Sequence, residues 1–435
     1  LSTLAEVRIW GATVGAVHLE DDSRTAVFEY DPGFAASGIE LAPLTMPAAG
    51  RRFSFPTLSE ETFSGLPGLL ADSLPDRYGN ALIDAWLAVR GEDAGDFDAV
   101  KRLCYMGRRG MGALEFAPAI GPKPTTSHTL DVEALVELAA EVLAERRDLA
   151  VILSEPSKQE ALREILRVGT SAGGARAKAL IAFDPETEET RSGQLDVPSR
   201  FEHWLLKFDG VEDPTRDLGA SRGYGAVELA YSQMAKLAGI EMTECRLLEE
   251  GGRRHFMTRR FDRDEEGDKL HMQSLGAISH LDFNQPGAHS YEQAFLASRR
   301  LGLPHSAIEE QFRRMAFNVV ARNQDDHVKN IAYLMDRGGA WSLAPAFDVV
   351  YAYNPRGRQT ARHQMSINGR RDGFTVADLR GAGEAASLKR GQAGSILAAV
   401  TDAVRAWPEL AARAGLGEER IERIAKAHRL DLPLG

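Results

Sequence analysis

The chain is poor in cysteine: Cys104 and Cys245 are the only two in 435 residues, they lie far apart, and no Cys-x-x-Cys pattern occurs. That excludes a disulfide scaffold, argues against a structural zinc site, and fits a reducing cytoplasm in which both thiols are simply buried. Long hydrophobic runs are also missing. Stretches such as Leu149 to Leu153 fall far short of the roughly 18 apolar residues that cross a bilayer, so a soluble protein is expected. The opening residues, with Glu6 and Arg8 in an alternating pattern, lack the basic-then-apolar layout of a secretory signal. Positive charge is not in excess either. A formal net charge of −11 argues against the whole surface being a nucleic-acid footprint, and pairs such as Arg253 and Arg254 or Arg370 and Arg371 read as solvated surface.

What is present is enough apolar content, 43% of the residues, to fill the cores of two or three compact units. Residues 1–120 read as a β-rich unit opening with hairpins: Val7 and Ile9, Val14 to Leu19, and Ala26 to Tyr30 alternate between glycine turns, with a helix near Leu82 to Val89 and a closing strand at Gly112 to Phe116. The proline-rich segment Gly121 to Ser127 is the best linker. Residues 130–265 open with an amphipathic helix (Val132, Leu135, Val136, Ala139, Val142, Leu143). They then turn to strands at Ala179 to Phe183, Trp204 to Phe208, Arg246 to Glu249 and His255 to Thr258, with one helix near 224–238. Residues 266–435 read as helical, with Ile308, Phe312, Met315, Ala316 and Val319 marking a buried face. The expected fold is therefore α+β and two-lobed like a protein kinase, with a β-rich N-terminal part that includes an extra subdomain, and an all-helical C-terminal lobe.

The chemistry concentrates in Asn-Gln-Asp-Asp-His-Val-Lys-Asn, residues 323–330. Asp325 and Asn330 have the Asp-x4-Asn spacing of a kinase catalytic loop, and Asp348 follows Asn330 by eighteen positions as a second candidate metal ligand. Phosphoryl transfer needs positioning and charge neutralisation more than covalent work, so the other parts should lie upstream. Ser171-Ala172-Gly173-Gly174-Ala175-Arg176-Ala177-Lys178 sits between apolar segments and is small enough for backbone N–H groups to approach phosphates, although a plain turn between two strands is the commoner meaning of such a stretch. Lys207 ends the apolar run Trp204-Leu205-Leu206, and Glu228 lies 21 residues on, near the start of a helix, where it could pair with that lysine. Arg259, Arg260 and Phe261 would form the connection between lobes. Lys329 is placed to steady the transferred group. Asp326 is read as lying outside the chemistry, and His327 as a packing residue or a phosphate-side contact. Because no second histidine stands at ligand spacing, zinc hydrolysis is disfavoured.

Taken together, these segments resemble the HipA family of bacterial serine/threonine kinase toxins over nearly the whole chain. Ser73 to Gly79 and Gly110 to Leu114 look like that family's N-terminal subdomain, Ser171 to Lys178 like its phosphate loop, Gln324 to Asn330 like its catalytic loop, and Pro345 to Val349 like its metal segment. The resemblance implies Asp325 as catalytic base, with Lys207 and Lys329 in supporting catalytic roles, and Asn330 and Asp348 as Mg2+ ligands. It implies ATP contacts from Ala172, Gly173, Gly174, Ala175, Arg176, Ala177, Lys178, Lys207, Arg259, Arg260, Phe261, His327, Lys329, Asn330, Phe347 and Asp348. It further implies autophosphorylation at Ser171, with Thr170 a minor candidate. A small helix-turn-helix antitoxin (HipB-like) is the implied partner, operator DNA is reached through it, and an aminoacyl-tRNA synthetase is the implied substrate. Arg259 stands where some members carry glutamate, so adenine recognition is expected to rest on backbone groups. Two other readings share the motif: a small-molecule kinase of the aminoglycoside-phosphotransferase type, and a catalytically inactive scaffold for antitoxin and DNA.

Overall fold

The computed structural model describes residues 3–20, 23–121, 130–144, 165–166, 176–193, 197–211 and 222–435. The expected linker at 121–127 falls almost entirely outside them. Alternating burial along β1 (Thr3–Ile9) and β2 (Ala12–Leu19) reflects a sheet with one face in the core, and the hairpin between them turns at Trp10 and Gly11, both at positive φ. With β3 (Val27–Tyr30), β4 (Arg52–Phe53) and β5 (Leu114–Ala117) they form an antiparallel sheet of order β4-β3-β2-β1-β5. Its core joins Val7, Val17, Phe28 and Phe53 to Val100 and Leu103 of the helix Ala99–Met106.

A second antiparallel sheet has the order β7-β6-β8-β10-β9, from β6 (Lys178–Phe183), β7 (Thr190–Ser192), β8 (Glu202–Lys207), β9 (Cys245–Glu250) and β10 (Arg253–Arg259). The Gly251-Gly252 turn joins the last two. Every residue of β6 is buried because it is an inner strand with both faces covered. Two helices, Arg77–Val89 and Val132–Ala144, bring Tyr78, Leu82, Leu135 and Ala139 into one core with Ala179, Ile181, Trp204 and Leu206. Part of the first 120 residues thus packs with the second sheet, a long-range pairing that local periodicity cannot reveal.

The largest core gathers helices Tyr224–Leu237, Tyr291–Arg300, His305–Val320, Val376–Ala385, Gln392–Arg405 and Trp407–Arg413 around Tyr231, Phe295, Phe312, Phe317 and Trp407. Capping boxes at Ser290/Gln293 and Thr375/Asp378 fix two of their starts. The C-terminal lobe is not all-helical, however. It holds a three-stranded sheet of β11 (His271–Ser274), β12 (Ala332–Met335) and β13 (Trp341–Leu343). Strands of three or four residues are too short to show a two-residue period, and the edge strand β7 escaped the sequence pattern for the same reason. No helix among the described residues is long and apolar enough to cross a membrane.

Candidate active site

β8 runs antiparallel between β6 and β10, and its last residue, Lys207, pairs with Lys178 on one side and Phe256 on the other. Two residues on, the buried carboxylate of Asp209 accepts from the backbone N–H groups of Gly223 (3.1 Å) and Tyr224 (3.0 Å), capping the helix Tyr224–Leu237. The N–H of Asp209 donates to His255 Nδ1 at 2.9 Å, and burial pushes that imidazole down to about 4, so it stays neutral and able to accept. The helix lies tight on β10 because residue 225 is glycine: a Cβ there would stand 2.3 Å from the Arg254 carbonyl oxygen. Strand end and helix start are thereby clamped together, and the clamp delivers Glu228 to Lys207.

Lys207 Nζ donates to both Glu228 Oε1 and Asp348 Oδ1. Burial works against the ammonium, but the carboxylates of Asp348 and Glu228 outweigh it and hold the lysine above its ordinary pKa. Burial likewise opposes ionisation of Asp348, yet Lys207 and Lys178 keep this carboxyl below the usual range. Glu228 goes the other way, raised by burial with the Asp348 charge adding to it. One ammonium is therefore shared by two carboxylates, and Asp348 keeps the firmer negative charge. Asp348 also sits at φ +52°, a left-handed conformation that side-chain-bearing residues rarely adopt and that costs on the order of 1 kcal/mol. Such strain persists only where the surroundings fix it.

The catalytic-loop candidate follows the helix His305–Val320 and is stitched to the segment that carries Asp348. Gln324 N donates to Ala352 O (3.1 Å), Ala352 N to Arg322 O (3.1 Å), and Asn323 Nδ2 to the Asp348 carbonyl (3.3 Å). The loop closes with a single 3-10 turn, Val328–Asn330, where Asn330 Nδ2 donates to Asp325 O at 2.7 Å. That bond uses one of the amide's two N–H donors and leaves its oxygen as a possible ligand. Asp325 is partly exposed, and His327 Nε2 lies 3.9 Å from its Oδ1. Asp348 and Asn330 could offer two hard oxygen donors, a set of the kind that suits Mg2+ when phosphates and water complete its coordination. Among the described residues, no three His, Cys, Asp or Glu side chains converge as a cage for another metal.

The remaining sequence-selected residues divide. Phe261 and Phe347 face each other with ring centroids 5.5 Å apart, beside Leu334 and Ala344. The Arg259 and Arg260 N–H groups are already given to Glu244 and His203 carbonyls. Arg259 pairs with Glu202 at 3.6 Å, and Arg260 is buried in a two-pronged pair with Asp262, so its guanidinium faces that carboxylate. Arg176 lies over the Tyr224 ring, 3.3 Å from its centroid. Lys178 is buried and reaches Asp76 at 2.9 Å. Lys329 sits over Phe283, 5.0 Å from its centroid, and lines a small cavity with Thr62, Phe63 and Asp72 of the first unit. Thr170 to Ala175 lie outside the described residues. The sequence reading did not pick out Asp209, Gly225 or His255. The spacing Lys207-Phe208-Asp209 before a glycine-started helix is the signal that could have found the first.

A family model for the HipA N-terminal domain matches residues 5–117, and one for the HipA-like C-terminal domain matches residues 170–424. Among solved structures, the HipA, HipB and operator DNA complex of the Shewanella oneidensis MR-1 toxin-antitoxin system is similar over 98% of this chain and 94% of that one, with a TM-score of 0.68 at 18% identity. No curated protein matches the chain. The two-lobed kinase-like fold and both family matches agree, and the chain belongs to the HipA family.

Proposed function

We propose that the chain is an ATP- and Mg2+-dependent serine/threonine protein kinase and the toxin of a toxin-antitoxin pair. The observation that carries this reading is the buried Lys207–Glu228–Asp348 cluster, stitched through Asn323 to the loop of Asp325 and Asn330. In this reading Glu228 anchors the Lys207 ammonium, and Asp348 would be a carboxylate available to hold a metal. Lys207 then faces the phosphates, and Asp325 orients the acceptor hydroxyl and takes its proton. Asp348 and Asn330 would hold Mg2+, which would supply neutralisation of phosphate charge. Phe261 and Phe347 offer an apolar floor for adenine, and Lys329 supports the transferring group. Ser171 is the proposed autophosphorylation site: a phosphate adds about −1.5 to −2 charges to a loop that must cradle anions, so nucleotide binding would be lost.

As partner we propose a HipB-like helix-turn-helix antitoxin in the cytoplasm, with operator DNA bound mainly through it. An acidic chain, at net charge −11, suits a basic partner between itself and DNA. The proposed substrate is an aminoacyl-tRNA synthetase, whose modification would arrest translation and growth. The test is incubation of the intact chain with γ-labelled ATP, Mg2+ and a bacterial lysate, followed by mass spectrometry of the chain and of labelled species. Label on a protein serine or threonine, absent with Asp325→Ala, is expected. Label only on a small-molecule hydroxyl, or binding of antitoxin without any ATP binding, would overturn the reading.

A further inference from the structure

The neighbour of the candidate base, Asp326, is enclosed more completely than any other carboxylate of the loop. Its Oδ2 accepts from Tyr291 Oη (2.8 Å) and His363 Nδ1 (2.7 Å), and its Oδ1 from the Gln364 backbone N–H (2.7 Å). The other ring nitrogen of His363, Nε2, meets Arg429 Nη1 at 3.1 Å. A guanidinium only donates, so Nε2 must accept, and the ring proton is on Nδ1, directed at Asp326. The imidazole is fully buried and held along its own backbone too: Arg371 Nε donates to His363 O (2.6 Å) and His363 N to Arg371 O (3.1 Å). Arg429 in turn is fixed by Asp372 and by its backbone N–H on Val320 O at 2.9 Å. The preceding residues grip the same helix end, with Arg322 Nε on Ala427 O (2.8 Å) and Tyr231 Oη on both Ala321 O (2.7 Å) and His428 Nε2 (3.0 Å).

We infer that His363 and Arg429 are positioning residues: the relay Arg429–His363–Asp326 holds the loop so that Asp325, the next residue, presents its carboxylate to the acceptor hydroxyl. The inference rests on the kinase reading above and extends it to residues more than thirty positions from the motif. Asp326 is buried, and its three hydrogen bonds all come from inside the fold. Tyr291 and Gln364 alone would keep it paired but would not fix its direction relative to the C-terminal segment.

The test uses the full chain with Arg429→Met, His363→Leu and the conservative His363→Asn, whose amide can still donate to Asp326. Expected for Arg429→Met and His363→Leu is a fall in kcat of about 10²-fold, the usual scale for a small misplacement of a reacting group, with KM for ATP within twofold of wild type. His363→Asn should recover most of the loss. Hydrogen exchange of residues 323–330, read by mass spectrometry in the same samples, should rise in the two disruptive variants and stay near wild type in His363→Asn. Wild-type kcat together with unchanged exchange in Arg429→Met would overturn the relay even if His363→Leu fails to fold. Absence of transfer by the wild-type chain would instead overturn the kinase reading, and the exchange data would still decide whether the relay holds the loop.

Discussion

Replacing Lys207 by Met removes the ammonium that Glu228 and Asp348 share while keeping much of the side chain's volume. The lysine side chain is 11% exposed, that of Glu228 4% and that of Asp348 24%. Stripping one partner from a buried ion pair typically costs 3–5 kcal/mol, and the partial solvent access of Asp348 places this case near about 3 kcal/mol. The sign of the pH dependence follows from the two carboxylates left behind. Burial and the Asp348 charge already raise Glu228 above its unfolded value, and losing Lys207 raises it further, so the folded variant binds protons more readily than the unfolded chain. Its stability is then greatest below the ordinary carboxylate pKa of about 4 and falls as pH rises through the raised value. Urea unfolding of wild type, Lys207→Met and Lys207→Met/Glu228→Gln at pH 8 and pH 5 reads this directly. The single variant should show its full deficit at pH 8 and a smaller one at pH 5, and the double variant should recover roughly 1–2 kcal/mol at pH 8 by removing one unpaired charge. A deficit identical at both pH values, or none at all, would refute the shared-ammonium site.

Asp325→Ala should lower phosphoryl transfer by about 10²- to 10⁴-fold in single-turnover assays, leaving nucleotide binding and the unfolding curve intact. Asp348→Asn keeps a side chain tolerated at positive φ and should stay within about 1 kcal/mol of wild-type stability, while Mg2+-dependent transfer disappears in titrations with the metal. Asp262, fully buried, accepts two bonds from Arg260, one from Arg263 and one from the Gly112 N–H. Burial opposes its charge, but the arginines prevail and hold the carboxyl well below the usual range, so its contribution is present above about pH 3.9 and lost as pH falls below it. Asp262→Asn should therefore destabilise the chain by about 3–5 kcal/mol at pH 7 and flatten the loss of stability measured between pH 4 and pH 2.

How much of this was legible in the sequence depended on whether the signal was local. The hairpin of Val7 to Leu19, the β9–β10 turn at Gly251-Gly252 and the helix face of Ile308 to Val319 follow from periodicity and turn chemistry within a few residues. Lys207 stood out as a charge on an apolar strand, and Asp325, Asn330 and Asp348 by spacing. What stayed hidden was set by contacts across the chain: the shared core of Leu82 and Ile181, the ion pair of Lys178 with Asp76, and the enclosure of Asp326 by His363. A histidine in the stretch Ala361-Arg362-His363-Gln364 carries no local mark of the carboxylate it will meet. The strands of the C-terminal lobe stayed hidden because three or four residues do not make a pattern.

The clamp on Val320 and His363 comes from Arg429, a residue that a ribosome adds long after Asp325. During synthesis Lys207, Asp325, Asn330 and Asp348 emerge first, and the Arg429 guanidinium that bonds His363 emerges last among them. In the kinase reading a growing chain would carry the proposed reacting groups before the residue proposed to align them. In that proposed reading, where phosphorylation arrests translation, that order would separate manufacture from action.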